Sequence, residues 1–247
     1  MSTSKLSKIE TAKVAPSVVD VERILTAIGV PDEVKEEHLE IARAAAKEST
    51  AWRLIHRMGV HRAQQRTRAL EAQTTLLRTF QPALIPGLLQ TTEYMRAILT
   101  RHDLGENVLS RTISARVERQ QVLYDSAKEL HFVITEPVLR WRIVSAARMA
   151  EQVDRLVSLS RLPHIDLRIV PLSERQQDIA NHSFVIRDDR TVTVETVHAE
   201  IVVTDPRDVS LYVRKFEGFA SGALSGDAMR AMLESIRDEL LREQETS

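Results

Sequence analysis

The chain has 247 residues, of which 43% are hydrophobic and 28% charged, with a formal net charge of −1. That is enough apolar material for the core of one large domain or two smaller ones. The balanced charge excludes a global basic field, so contact with nucleic acid would have to come from a local patch. The absence of cysteine excludes disulfides and thiolate metal sites. With no signal-like N-terminus and no apolar run near the roughly 20 residues of a membrane span, a cytoplasmic location without membrane contact is expected.

Residues 3–12, TSKLSKIETA, read as a helix with Leu6 and Ile9 on one side. Pro16-Ser17 interrupts it, and Ser17 is a good N-cap for a second helix striped by Val21, Ile24, Leu25 and Ile28. Gly29 closes that helix and Pro31 opens the next, which continues over 32–47 with Val34, His38, Ile41 and Ala45 on one face. From Ser49 to Leu70 there is no acid, while Arg53, His56, Arg57, His61, Arg62, Arg66 and Arg68 all occur. A solvated helical face is the ordinary reading of such a run, and a phosphate- or partner-contacting connector is the functional one. Residues 69–80 read as a further helix.

The next stretch is FQPALIPGLLQTTEYMRAIL. Proline presets its own φ and glycine supplies the positive φ at the third position of a type II turn, so Ile85-Pro86-Gly87-Leu88 reads as a tight reversal. Thr91 can cap the following helix, with Glu93 in its first turn and Tyr94, Met95, Ile98 and Leu99 at helical spacing. Pro86, Gly87, Leu88, Leu89, Gln90, Thr91 and Tyr94 form a candidate structural motif. The turn contains no nucleophile or acid–base pair.

A helix is expected around 108–124, carrying Ile113, Val117, Val122 and Leu123 against Arg111, Arg116 and Arg119. HFVIT (131–135) and IDLRIVPL (165–172) read as strands with a helix near 146–161 between them, spacing that suits a right-handed crossover and a parallel pair. SFVIRDDRTVTVET (183–196) reads as a hairpin turning at Asp188-Asp189-Arg190, and AEIVVTD (199–205) as another strand. Asp205-Pro206 starts a helix, and a last helix spans roughly 226–243. The fold class expected is α+β: an N-terminal helical part, a helical connector, and a C-terminal mixed β-sheet flanked by helices.

Two stretches resemble one family. Residues 1–30 look like the second half of a Cro/repressor-type helix-turn-helix domain of the xenobiotic-response-element class. There a Ser- and Thr-rich recognition helix runs into I-E-x-G-x-x-x-P; Ile9, Glu10 and Pro16 fall in register, and Ala12 replaces the glycine. From FQPALIPGLLQT onward the chain resembles the large domain of unknown function attached to such regulators in actinobacteria. RVERQQVL (116–123), Glu136 to Arg140, RIVPL (168–172), Tyr212 and Phe216 match its further motifs. The family's first helices are not seen ahead of residue 1, so an N-terminally shortened helix-turn-helix is expected. The resemblance implies residues 1–47 as a partial helix-turn-helix, 48–70 as a basic connector and 71–247 as a regulatory domain.

A recognition helix presents its first residues to base edges and phosphates. The resemblance therefore implies DNA contacts from Ser2, Thr3, Ser4, Lys5, Ser7, Lys8 and Lys13. It also implies an operator DNA as partner, antitoxin-like behaviour, and a small partner protein encoded by the neighbouring gene. Arg116, Arg119, Arg140 and Arg142 around Trp141 suggest an interaction platform and a homodimer, since arginine and tryptophan often carry interface energy. Catalysis has little support. Glu195, His198 and Glu200 cluster, and Glu136 and Asp166 lie near other strands, but 195 and 198 fall on opposite faces of a strand. No HExxH, P-loop or dinucleotide fingerprint occurs. No enzyme, metal or cofactor is expected. A protein-interaction module that has lost DNA reading and a hydrolase-like α/β domain are the alternatives.

Overall fold

Two serines start the first two helices by the same chemistry. Ser2 Oγ accepts from the Lys5 amide at 3.3 Å and opens α1 (Thr3–Glu10). Ser17 opens α2 (Val18–Ala27) with a reciprocal box: its Oγ accepts from the Asp20 amide, and Asp20 accepts from the Ser17 amide. Gly29, at φ +73°, ends α2 in the left-handed region that a side chain resists. α3 (Asp32–Glu48) follows and leads into the short strand β1 (Ser49–Ala51). The computed structural model describes residues 2–11, 16–51, 60–102, 104–176, 178–197 and 199–245.

The helix expected over 69–80 is overturned. α4 (Val60–Gln73) stops early, and Leu76–Gln81 is strand β2. Thr74 closes the helix, its hydroxyl and amide both donating to the Leu70 carbonyl. The apolar run then crosses the middle of the sheet and is needed on both faces. Leu77 enters one core and Phe80 the other.

The strand order is β1-β7-β6-β5-β2-β3-β4. β2, β3 (Glu129–Thr135) and β4 (Ile165–Val170) are parallel. α5 (Thr92–Leu99) and α6 (Glu106–Arg119) make the first crossover; α7 (Glu136–Arg140) and α8 (Ala146–Leu159) make the second. β5 (Phe184–Arg187), β6 (Thr191–Glu195) and β7 (Ala199–Val203) run antiparallel on the other side of β2, with β1 against β7. Asp188 and Asp189 turn the β5–β6 hairpin, both at φ 50°, the signature of a two-residue hairpin turn. Asp205 caps α9 (Pro206–Ser221), and α10 (Gly226–Glu245) ends the described chain.

Helices cover both faces of the sheet. On one, Leu130, Phe132, Ile134 and Leu167 pack under Val153 and Leu156 of α8 and Leu233 and Ile236 of α10. On the other, Phe184, Ile186 and Val192 pack under α9, where Phe80 stacks on Phe219 with ring centres 4.2 Å apart. The architecture is therefore α+β, a mixed sheet flanked by helices. The boundary expected at residue 71 falls inside α4. Among the described residues no helix is long and apolar enough to cross a membrane.

Candidate nucleic-acid interface and signature loop

α1 presents Thr3, Ser4, Ser7 and Lys8 to solvent, while Leu6 and Ile9 are half-buried on its inner side. Its first turn carries no acid, so the positive end of the helix is open to an anion. Ser2 is exposed, and its hydroxyl serves as the cap. Lys5 has a different role from the phosphate contact expected of it. Its Nζ donates to both oxygens of Asp20 at 2.7 Å. Lys5 and Ser17 hold the Asp20 carboxyl well below the ordinary carboxylate range. Lys5 thus braces α1 against α2. Lys13, Arg53 and Arg57 lie outside the described residues, and so does His198. Arg68 is ion-paired with Glu118 of α6.

The Pro-Gly corner is structural, but it is not the expected type II turn. Pro86 has φ −52° and ψ 137°, and Gly87 is not among the residues at positive φ. Gly87–Leu89 instead forms one turn of 3-10 helix, closed by the Leu89 amide donating to Pro86 O at 2.8 Å. A Cβ on Gly87 would stand 3.3 Å from Nη2 of Arg119, so close approach rather than backbone angle favours glycine.

Buried amides hold this loop. Gln120 Nε2 donates to the carbonyls of Gly87 (3.2 Å) and Gln90 (2.8 Å). Gln90 Nε2 reaches back to Ile85 O at 2.7 Å. Gln152 Oε1 accepts from the Thr91 amide at 2.7 Å, and its Nε2 donates to Leu89 O at 2.8 Å. Arg155 ties the set together through Leu89 O and Gln120 Oε1. Thr91 caps α5 as expected, accepting from the Tyr94 amide, and the buried Tyr94 hydroxyl accepts from the Ile85 amide. Leu88 and Leu89 supply the apolar anchor in the same core as Tyr94. A loop in a core must satisfy its backbone groups. Three glutamines from three segments do that here. Their roles left no periodic trace, although Gln120 lay inside the matched RVERQQVL motif.

The four arginines expected to surround Trp141 do not form one surface. Arg116 and Arg119 lie against the core side of α6, where burial and Arg119 push the Arg116 guanidinium down to about 10. Arg140 bridges Glu136 and Glu239, and Arg142 pairs with Glu243, while Trp141 is 67% exposed. Two of the carboxylates considered for acid–base work have structural partners. Glu136 accepts from the Leu172 amide and from Arg140, and Asp166 pairs with Arg168. Glu195 and Glu200 sit opposite each other on β6 and β7. Among the described residues no three His, Asp or Glu side chains gather in a metal-binding group.

The family model described as a domain of unknown function, DUF5753, matches residues 64–235, well over half of the chain. No curated protein matches. Solved structures that are distantly similar include the following two. One is TrmBL2, an archaeal chromatin protein with a novel mode of DNA binding, at 14% identity and a TM-score of 0.37 over 83% of this chain. The chain spans 66% of that protein's length. The other is Nuc, a phospholipase D family member from Salmonella typhimurium, at 13% identity and a TM-score of 0.37, covering 64% of this chain and 86% of that one.

Proposed function

We propose that this chain, which belongs to the DUF5753 family, is a cytoplasmic DNA-binding transcriptional regulator of the Cro/repressor-like class, antitoxin-like and working as a homodimer. The observation that supports the reading is the solvent face of α1. Three hydroxyls and one ammonium stand beside an acid-free helix start, a surface that donates to phosphates and base edges. Lys5–Asp20 fixes that face relative to α2. The sheet domain then serves regulation through a small ligand or a small partner protein, and has no catalytic step.

Mapping the protein's binding sites across the genome tests the reading. Discrete sites sharing a sequence, lost when Ser4, Ser7 and Lys8 are all replaced by alanine, are the expected result. Uniform background, or sites unchanged by the triple replacement, would return the protein to the interaction-module reading.

A further inference from the structure

α3 carries three parallel rows of side chains, and only the innermost is turned into the protein. Residues spaced i, i+4, i+7 stack along one side of a helix. The inner row is Lys35, Leu39 and Ala42; Leu39 is buried and the other two are half-buried. α3 packs on α2 and β7. The next row is Val34, His38 and Ile41, and the row beyond it is Glu33, Glu37 and Glu40. All six of these side chains are exposed.

Val34 is 41% exposed and Ile41 61%. Between them His38 lies back along the row, its Nδ1 donating to Val34 O at 2.8 Å. The result is an apolar stripe two helical turns long with an acidic border on its outer side. On the far side of the helix Arg43 is paired with Glu36 at 2.7 Å, so it does not offset that border. Apolar side chains exposed in a row, rather than scattered singly, mark an interaction surface. The spacing i, i+4, i+7 is the one by which helices anchor on each other.

The border decides what the stripe can meet. A row of three carboxylates repels DNA phosphates. It also works against a second copy of α3. Two-fold pairing of antiparallel helices sets like flank against like, so Glu33, Glu37 and Glu40 would face their own counterparts. Parallel pairing would need the opposite flank, and that flank is the inner row already packed into the protein. A helix with lysine or arginine beside its own apolar row complements both the stripe and the border.

We propose that the Val34–His38–Ile41 face of α3 docks a basic amphipathic helix of a partner protein. The partner's apolar side chains cover Val34 and Ile41, and its cations pair with Glu33, Glu37 and Glu40. Surface ion pairs are weak singly and are screened by salt. Burial of the two aliphatic side chains therefore supplies most of the affinity, and the acids supply the choice of partner. The contact uses none of the hydroxyl face of α1 and needs no DNA.

Fluorescence anisotropy of a labelled synthetic helix, titrated with the full chain in the absence of DNA, tests this. The probe is a peptide of about 18 residues, long enough to hold a helix, with leucine at i, i+3, i+4 and i+7 and lysine at its other charged positions. One control has the same composition with the leucines scattered, and a second has glutamate in place of lysine. Saturable binding of the probe is expected, with both controls weaker by about tenfold or more. Val34→Ser with Ile41→Ser, checked for folding by circular dichroism, should weaken the probe by about tenfold or more. Ile41→Ser alone serves if the double variant does not fold. Glu33→Gln, Glu37→Gln and Glu40→Gln together should flatten the salt dependence of binding. Absence of saturable binding, equal binding of either control, unchanged affinity in the folded serine variant, or unchanged salt dependence in the glutamine variant would overturn the proposal. So would sedimentation showing a dimer of the chain that Ile41→Ser dissociates, which would give the face to a second copy. Loss of DNA binding alone would leave the result standing, so the two readings fail separately.

Discussion

Replacing Gln152 with leucine keeps the volume of the side chain and removes both of its hydrogen bonds. Gln152 is 0% exposed, so no water takes over from it. The Thr91 amide, bonded at 2.7 Å, is left without an acceptor, at a cost of about 1–3 kcal/mol. Leu89 O loses a donor at 2.8 Å but keeps Arg155 at 3.2 Å, a smaller loss of about 0.5–1 kcal/mol. Extra apolar burial offsets about 1 kcal/mol. The net expectation is a destabilisation of about 2 kcal/mol. For a chain of this length unfolding entropy is on the order of 0.5 kcal/mol per kelvin, so the melting midpoint should fall by about 4 °C. Differential scanning calorimetry reads it directly, with the exposed Gln121→Leu as a control expected to stay within about 1 °C. A Gln152→Leu variant that melts with the wild type would refute the claim that this amide holds the signature loop.

Gly87→Ala should be tolerated to within about 1 kcal/mol, because its φ is not left-handed and only the tip of Arg119 has to move; a collapse of the fold on thermal melting would restore the type II turn. Asp188→Ala should cost about 2–3 kcal/mol by chemical denaturation, since Asp188 Oδ1 accepts the amides of Thr75 and Leu76 at 2.9 Å and sits at φ 50°; an unchanged midpoint would show that β2 needs no such anchor. The Asp20 carboxyl is depressed on folding, so its contribution is present above the ordinary carboxylate range and fades as pH falls through the lowered value. Carbon-13 NMR of Asp20 should show titration below the ordinary range in the wild type and a return toward it in Lys5→Met; identical titrations would contradict the brace between α1 and α2.

How far the chain could be read before folding depended on whether the signal was local. Ser17, Gly29, Thr91, Asp205 and the Asp188-Asp189 turn act within a few residues of themselves, and each was legible. The β3–α8–β4 crossover was legible too, because its apolar runs and spacing have few other solutions. β2 was not. Leu76, Leu77 and Phe80 also fit a helical stripe, and a strand buried on both faces shows no alternation. At the candidate sites, the hydroxyl face of α1 could be read from the recognition-helix resemblance. The ion pair that removes Lys5 from it could not, since Asp20 lies fifteen residues away. The contacts of Gln120 and Gln152 and the Glu71–Arg119 pair depend on long-range pairing, which propensity does not encode.

The central claim is that α1 is a DNA-contacting surface whose cation is Lys8 while Lys5 is held by Asp20. Fluorescence anisotropy of a labelled duplex, titrated with the protein at several salt concentrations, tests it most directly. Each phosphate neutralised contributes about 0.9 to the slope of log affinity against log salt. Lys8→Gln should lower that slope by about one per bound copy, and Lys5→Gln should change it by much less. Equal effects of the two substitutions, or affinity insensitive to both, would contradict the account.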